Sequence, residues 1–74
     1  SYNYLSFLFT HNLGLNFSMY LSKIRIEKAC ELLKAPENRI SEIAEKVGYN
    51  NYRYFNYVFK KMIGYTPSEY RRLK

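Results

Sequence analysis

The sequence is poor in the residues from which enzyme active sites are most often built. It has no aspartate, one cysteine (Cys30) and one histidine (His11), and its three glycines form no phosphate-binding loop. These absences argue against paired carboxylates, against a nucleophile oriented by a base and against a metal site. We therefore predict no catalytic residue, no metal ligand and no cofactor, and hence that the chain is not an enzyme. Cys30 is predicted to be a bystander thiol.

Long apolar runs and export signals are also missing. The longest uninterrupted apolar run is far shorter than the ~20 residues that span a bilayer, so we predict no membrane partner. The N-terminus has no Lys/Arg cluster followed by an apolar stretch, and a single cysteine excludes a disulfide framework. We therefore expect a cytoplasmic protein.

Positive charge is abundant, and it lies at one end. The 74 residues carry a net charge of +6, enough chain for one small domain. Residues 1–22 have no charged side chain, residues 23–50 carry net +1 and residues 51–74 carry net +5. A basic region beside aromatic residues favours a polyanionic partner, either nucleic acid or an anionic membrane surface. The same charge can also serve solubility alone, and composition does not decide between these interpretations.

An internal repeat is the most informative feature of the sequence. Residues 1–20 align without gaps on residues 51–70 when the chain is shifted by fifty positions. The shared apolar positions fall at 5, 8, 9 and 13 and again at 55, 58, 59 and 63, which is the spacing of an amphipathic helix. Each helix then meets a glycine, Gly14 or Gly64, as is typical just beyond a helix C-terminus. The chain therefore contains two copies of one unit.

A short helix precedes the second copy. We predict that it has Ser41 as its N-cap and ends at Gly48. A tight turn then leads to the next helix, with Asn50 or Asn51 as its cap. Short helix, glycine turn and second helix make up the helix-turn-helix pattern. The counterpart of residues 41–48 would lie before residue 1, so the first unit is expected to be incomplete.

A long amphipathic helix is predicted between the copies, over residues 17–34 and stopped at Ala35-Pro36. Its expected core residues are Leu21, Ile24, Ala29, Leu32 and Leu33. At about 1.5 Å per residue it would be about 27 Å long, close to the ~34 Å between successive major grooves on one face of DNA. This length suits a helix that separates two DNA-reading units.

A final short helix is expected after Thr66, because Thr66 and Glu69 form a capping box with Pro67 at the first helical position. The predicted organisation is a single all-α domain of residues 1–74. Residues 1–16 are the remainder of the first helix-turn-helix, residues 17–35 the linker helix, and residues 36–74 the second helix-turn-helix and the final helix.

The second copy and the residues before it resemble a known family. The residues that carry the resemblance are Ile43-Ala44, Gly48-Tyr49, Tyr54-Phe55, Phe59-Lys60-Lys61, Gly64, Thr66-Pro67 and Tyr70-Arg71. They are similar to the signature of the AraC/XylS family of bacterial transcription regulators, and the resemblance extends to Tyr20-Leu21 and Arg25-Ile26. It implies a homeodomain-like arrangement in which two helix-turn-helix subdomains, joined by the linker helix, insert recognition helices into adjacent major-groove segments of double-stranded DNA.

The resemblance also implies which residues contact DNA. The base-reading residues would be Tyr52, Arg53, Asn56 and Tyr57 in the second unit and, through the repeat, Asn3, Ser6 and Phe7 in the first. We assign phosphate positioning to Ser41, Lys60, Lys61 and Arg25.

These assignments have simpler alternatives. Arg53 is expected to be exposed because its neighbours Tyr54 and Phe55 should share the core side with Val58 and Phe59. Surface lysines near a helix C-terminus are common for dipole reasons alone, and an asparagine can cap local backbone instead of reading adenine. The repeat-matched tyrosines at 4, 20, 54 and 70 are predicted to be half-buried packing residues.

Two features depart from the family pattern. Phe7 and Tyr57 stand where the family often has arginine, so the bidentate guanine contact of arginine is not available, and contact with thymine methyls or stacking on sugar would replace it. Thr10-His11 stands where the second copy has Lys60-Lys61, which should weaken phosphate anchoring by the first unit.

Two other functions compete with DNA reading. A helical protein-interaction module that contacts RNA polymerase or a partner subunit would need an exposed apolar patch. A membrane-surface domain would need one long basic and apolar helix face, and the short, capped, repeated helices argue against it. Regulators of this family usually carry a sensing, dimerising or receiver domain N-terminal to the DNA reader, and we expect such an effector or receiver domain in the full-length protein.

Overall fold

The computed structural model describes residues 17–73, and these form four α-helices. They are α1 (Phe17–Leu32), α2 (Ile40–Lys46), α3 (Tyr52–Ile63) and α4 (Pro67–Leu73). Helix α3 contacts each of the other three, so it lies at the centre of the fold. The predicted all-α class is confirmed. Within this part of the chain no helix is both long enough and apolar enough to cross a bilayer.

The core is built around two phenylalanines of α3. Phe55 and Phe59 are fully buried, with ring centroids 5.8 Å apart. Burial of one such side chain contributes about 1.5–3 kcal/mol. The other buried apolar residues lie in α1, in α2, in the turns that follow these helices and in α3 itself; they are Ile26, Ala29, Leu33, Ile43, Ala44, Val47, Tyr49 and Val58. This arrangement fixes which face of α3 is left for solvent.

The predicted core residues of α1 and the turn after it are confirmed in part. Ala29 and Leu33 are buried and Leu32 packs against the core, but Ile24 is 43% exposed and Ile26, which was not predicted, is buried. The reason is geometric, since two residues are separated by about 200° around a helix. A helix that buries Ile26 therefore turns Ile24 outwards.

Helix α1 also ends two residues before its predicted end at Lys34, and residues 33–38 form turns. The side chain of Asn38 donates a hydrogen bond from Nδ2 to the carbonyl of Leu32 at 3.0 Å, which satisfies a carbonyl at the helix end. Arg71 of α4 donates to three carbonyls of the turn: from Nε to Leu33 at 3.0 Å and from Nη2 to Ala35 at 3.1 Å and Asn38 at 2.7 Å. Arg71, which lies in the last helix of the chain, therefore stabilises the turn that follows α1.

The prediction that Ser41 caps α2 is wrong. The helix begins at Ile40, its N-cap is Arg39, and no side chain makes the capping hydrogen bond. The backbone N–H of Ile43 donates to the Arg39 carbonyl at 2.9 Å. Because Ile40 packs against the core, burial sets the start of this helix, and Ser41 lies exposed in its first turn.

The turn between α2 and α3 follows the Schellman pattern. Gly48 has a φ of +106°, a left-handed conformation that glycine adopts without steric cost. Its N–H donates to the Glu45 carbonyl at 3.0 Å, and the Tyr49 N–H donates to the Ala44 carbonyl at 2.8 Å. Tyr49 is buried in the core. The turn places its ring there, and the packing of the ring in turn stabilises the turn.

Helix α4 begins as predicted. The N–H of Glu69 donates to Thr66 Oγ1 at 3.1 Å, and the N–H of Thr66 donates to Glu69 Oε1 at 2.9 Å. This is the capping box, with Pro67 at the first helical position. The Thr66 N–H also holds the pKa of the Glu69 carboxyl below its ordinary value, because the hydrogen bond favours the ionised form.

Candidate nucleic-acid interface

The recognition-helix candidate, α3, starts at a well-defined cap. The side chain of Asn51 accepts a hydrogen bond from the N–H of Tyr54 at 2.9 Å, so of the two predicted caps Asn51 is confirmed. The helix ends at Gly64, whose φ is +95° and whose N–H donates to the Lys60 carbonyl at 2.8 Å. These two ends set the length of the surface that α3 presents.

The outer face of α3 carries most of the predicted DNA contacts of the second unit. Since Phe55, Val58 and Phe59 point into the core, the opposite side of the helix is left outside. Tyr52, Arg53, Tyr57, Lys60 and Lys61 are exposed and Asn56 is half-buried. The sequence prediction that Arg53 is exposed is confirmed.

Five of these side chains meet at one shallow depression. Its volume is about 420 Å³, and it is lined by Arg53, Asn56, Tyr57, Lys60, Lys61 and Thr66. Among residues 17–73, no acidic residue lines it, and its three cationic groups outweigh the one carboxylate, Glu69, that interacts electrostatically with Lys60. We call this surface, with Tyr52, the basic face of α3. It can attract a polyanion and offers both charged and amide donors to base edges.

Tyr57 lies in the middle of the basic face and its ring has neighbours on two sides. The ring is 5.6 Å from Lys61 Nζ, a cation–π distance, and its centroid is 6.3 Å from that of Tyr54 at an interplanar angle of 28°. The hydroxybenzyl group remains 59% exposed. The side chain therefore presents apolar surface to solvent from a restrained position.

The prediction that Tyr54 is half-buried on the core side is wrong, since it is 56% exposed. On this flank of α3 the space beside the helix is an open depression of about 390 Å³ instead of packed side chains, and Tyr54 lines it with Met19 and Met62. Tyr70, by contrast, is half-buried as predicted, with its ring edge-on to Phe59 at 5.7 Å.

Arg25 and Ser41, predicted to position phosphates, do not line the basic face. Arg25 packs on the helix-turn-helix turn, with its guanidinium carbon 5.4 Å from the centroid of the Tyr49 ring. A Cβ on Gly48 would lie 3.0 Å from that guanidinium, so the glycine also makes room for this contact. Arg25 thus lies at the turn between α2 and α3, and Ser41 lies exposed in the first turn of α2.

One role that sequence reasoning missed belongs to Arg71. The sequence counts it among the charges of the basic C-terminal third, but its guanidinium is committed to the carbonyls of the α1–α2 turn. Arg72 stays exposed and donates from Nη1 to Ser68 Oγ at 3.3 Å. Tyr70-Arg71 was part of the family signature, and that position was the only hint of a structural role. The predicted first-unit contacts Asn3, Ser6 and Phe7 lie outside the described residues.

Residues 1–73 match the family model described as "Helix-turn-helix domain". The chain is 44% identical over 72 residues to the transcriptional regulatory protein YesN of Bacillus subtilis, covering 95% of the chain and 20% of that protein. It is 42% identical over 65 residues to the HTH-type transcriptional activator RhaR of Yersinia pseudotuberculosis, covering 88% of the chain and 22% of that protein. The chain thus spans about a fifth of these relatives, which are transcription regulators and not enzymes.

Two solved structures share the fold. The C-terminal domain of AraT, a response regulator from Geobacillus stearothermophilus, superposes with a TM-score of 0.86 at 49% identity, over 96% of this chain and 59% of that one. The C-terminal domain of the two-component response regulator yesN from Fusobacterium nucleatum gives a TM-score of 0.82 at 45% identity, over 96% and 69%. With the four helices and the basic face of α3, these similarities show that the chain belongs to the AraC-type helix-turn-helix DNA-binding domain family of bacterial transcription regulators.

Proposed function

We propose that the chain binds double-stranded DNA sequence-specifically, with α3 as a recognition helix in a major groove. The observation that carries the proposal is the basic face of α3, which gathers Arg53, Asn56, Tyr57 and two lysines around one depression without an acidic residue in its wall. The major groove is about 12 Å wide and admits a helix whose side chains reach base edges. A helix exposed along one whole side, and packed along the other, suits that position.

The residues of the basic face divide by chemistry. Arg53 can donate two hydrogen bonds to guanine, and Asn56 can both donate to and accept from adenine. Lys60 and Lys61 lie in the last turn of α3, where their charge suits phosphate oxygens on the groove wall. The two lysines would hold the register while the residues of the first two turns select the bases.

We further propose that the chain is the output part of a longer regulator. The relatives named above are several times longer, and two solved relatives are C-terminal domains of response regulators. In this proposal α1 joins two helix-turn-helix subdomains, and Asn3, Ser6 and Phe7 of the first unit contact a second groove segment. An effector or receiver domain on the N-terminal side would then control access to DNA.

A comparison of two exposed arginines tests the proposal. Duplexes are enriched from a random pool by the chain, and their affinity is compared with that of scrambled duplexes for the wild type, Arg53→Ala and Arg72→Ala. Both variants lose one positive charge, but only Arg53 lies on the basic face. We expect Arg53→Ala to weaken binding to enriched DNA by roughly 5- to 150-fold, the equivalent of one bidentate base contact, and Arg72→Ala to change it little.

The proposal fails if no duplex is enriched over scrambled DNA, or if Arg53→Ala and Arg72→Ala bind enriched DNA equally well. Circular dichroism of each variant checks that the helices are retained.

A second function, contact with a protein partner such as RNA polymerase, is favoured by one observation. The depression beside α3 that Tyr54, Met19 and Met62 line is mainly apolar and about 390 Å³ in volume. An exposed apolar depression offers a contact surface for a partner side chain. A Met62→Gln variant would distinguish this role, because it should retain DNA affinity while lowering transcription from a target promoter.

A further inference from the structure

The basic face of α3 has one large apolar surface at its centre. Tyr57 follows Asn56 and lies between Arg53 and the two lysines, and 59% of its surface is exposed. The core positions beside it are taken by Phe55 and Val58, and the exposed ring borders both the basic face and the apolar depression that Tyr54 and Met62 line. With α3 in the major groove, as proposed above, Tyr57 meets the base edges or the groove wall.

The ring also has two neighbours in the unbound chain. Lys61 Nζ lies 5.6 Å from its centroid and the Tyr54 ring lies 6.3 Å away, nearly parallel. Neighbours on two sides reduce the conformational freedom that the ring loses on binding, and its contact surface then contributes more fully to affinity. Tyr57 thus offers an apolar contact surface that is supported by Tyr54 and Lys61.

In the major groove, the C5-methyl of thymine is the apolar group at the base edges, and the other groups there are hydrogen-bond donors and acceptors. We propose that Tyr57 selects thymine by packing its ring against this methyl group. This inference rests on the proposed function and names one base that the chain prefers. The ring carries the selection, and the hydroxyl is not required for it.

The test removes the methyl group and the ring separately. In a duplex enriched by the wild-type chain, each thymine is replaced in turn by deoxyuridine, which differs only by the C5-methyl. At one position we expect wild-type binding to weaken about fourfold, the loss of one buried methyl contact. Tyr57→Phe should show the same loss, whereas Tyr57→Ala should bind thymine and deoxyuridine duplexes equally.

Tyr65→Ala is the matched control, since Tyr65 is a 48% exposed tyrosine outside α3, and this variant should retain the fourfold discrimination. Three results would overturn the inference: no deoxyuridine position weakens wild-type binding, Tyr57→Ala still discriminates, or Tyr57→Phe loses the discrimination. If enriched DNA and scrambled DNA bind alike, both the inference and the proposed function fail. Specific binding that is insensitive to every methyl removal would overturn the inference alone.

Discussion

At the scale of single residues, the hydroxyl of Tyr49 stands out because it is buried without a hydrogen-bond partner among the described residues. The ring is well placed, with Phe55 at 5.6 Å and the Arg25 guanidinium over its face. A buried polar group without a partner costs about 1–3 kcal/mol. The ring therefore stabilises the fold while its hydroxyl opposes it.

We predict that Tyr49→Phe raises the free energy of unfolding by about 1 kcal/mol, because it removes the unpaired hydroxyl and keeps the ring contacts. Urea denaturation followed by circular dichroism measures this. Tyr54→Phe is the control, since the Tyr54 side chain is 56% exposed and its hydroxyl has access to water. A less stable Tyr49→Phe would show that the hydroxyl has a partner in solution.

A second residue-scale feature is the pair Cys30 and Tyr70, two titratable side chains at the edge of the core that influence each other's pKa. Burial raises the pKa of the Cys30 thiol above its ordinary value, because the thiolate is poorly solvated there, and the nearby Glu27 adds to the effect. Burial likewise raises the pKa of the Tyr70 hydroxyl. A pKa that is higher in the folded than in the unfolded state gives stability below the unfolded pKa, and that stability is lost as the pH rises through the folded one.

We therefore expect the free energy of unfolding to fall as the pH rises above the ordinary thiol pKa. The fall should be smaller in Cys30→Ala, which has no thiol to ionise. Urea denaturation at about pH 7 and about pH 10 for both proteins gives the comparison. Equal falls in both would contradict the buried environment of Cys30.

At the scale of elements, the four helices are fixed as much by contacts at their ends as by their apolar stripes. Arg71 is the clearest case, because one guanidinium from α4 satisfies three carbonyls in the turn between α1 and α2. Hydrogen bonds from charged donors contribute about 1.5–3 kcal/mol each, although the three share one side chain and do not add fully. This side chain couples the last helix to the first.

We predict that Arg71→Lys lowers the free energy of unfolding by about 2–4 kcal/mol with the charge unchanged, because an ammonium group cannot reproduce the fork of a guanidinium. Arg72→Lys, on the next residue of the same helix, should change it by less than about 0.5 kcal/mol. Thermal and urea unfolding of the two variants give the comparison. Equal stabilities would show that the turn does not depend on Arg71.

How much of this fold follows from sequence is also an element-scale question. The caps at Asn51 and Thr66–Glu69 were predictable because their hydrogen bonds join residues three apart. The start of α2 and the burial of Ile26 instead of Ile24 were not predictable, since tertiary packing chose Ile40 and Ile26 over the local alternatives. The role of Arg71 was hidden for the same reason, because its acceptors lie 33 to 38 residues away.

At the scale of the whole molecule, the structure shows where the positively charged side chains lie, whereas the composition gives only their net charge. Of the basic residues that follow Asn51, Arg71 is used inside the fold, while Arg53, Lys60 and Lys61 are gathered on one side of α3. The charge asymmetry placed the positive charge in residues 51–74 and the apolar spacing predicted that Arg53 is exposed, whereas the choice of this side of α3 came from the family resemblance. Sequence did not predict that Tyr54 would be exposed, because that depends on how α1 and α3 leave a depression between them.

The salt dependence of DNA binding tests the central claim most directly. Each phosphate neutralised by a lysine adds about 0.9 to the slope of log K against log salt. We predict a steep slope for the wild type and a slope smaller by about one for Lys60→Ala and for Lys61→Ala. Lys28→Ala should leave the slope unchanged, because Lys28 lies on α1, 3.5 Å from Glu31, away from the basic face. A slope near zero, or equal losses in all three variants, would contradict the assignment of the basic face of α3 to DNA.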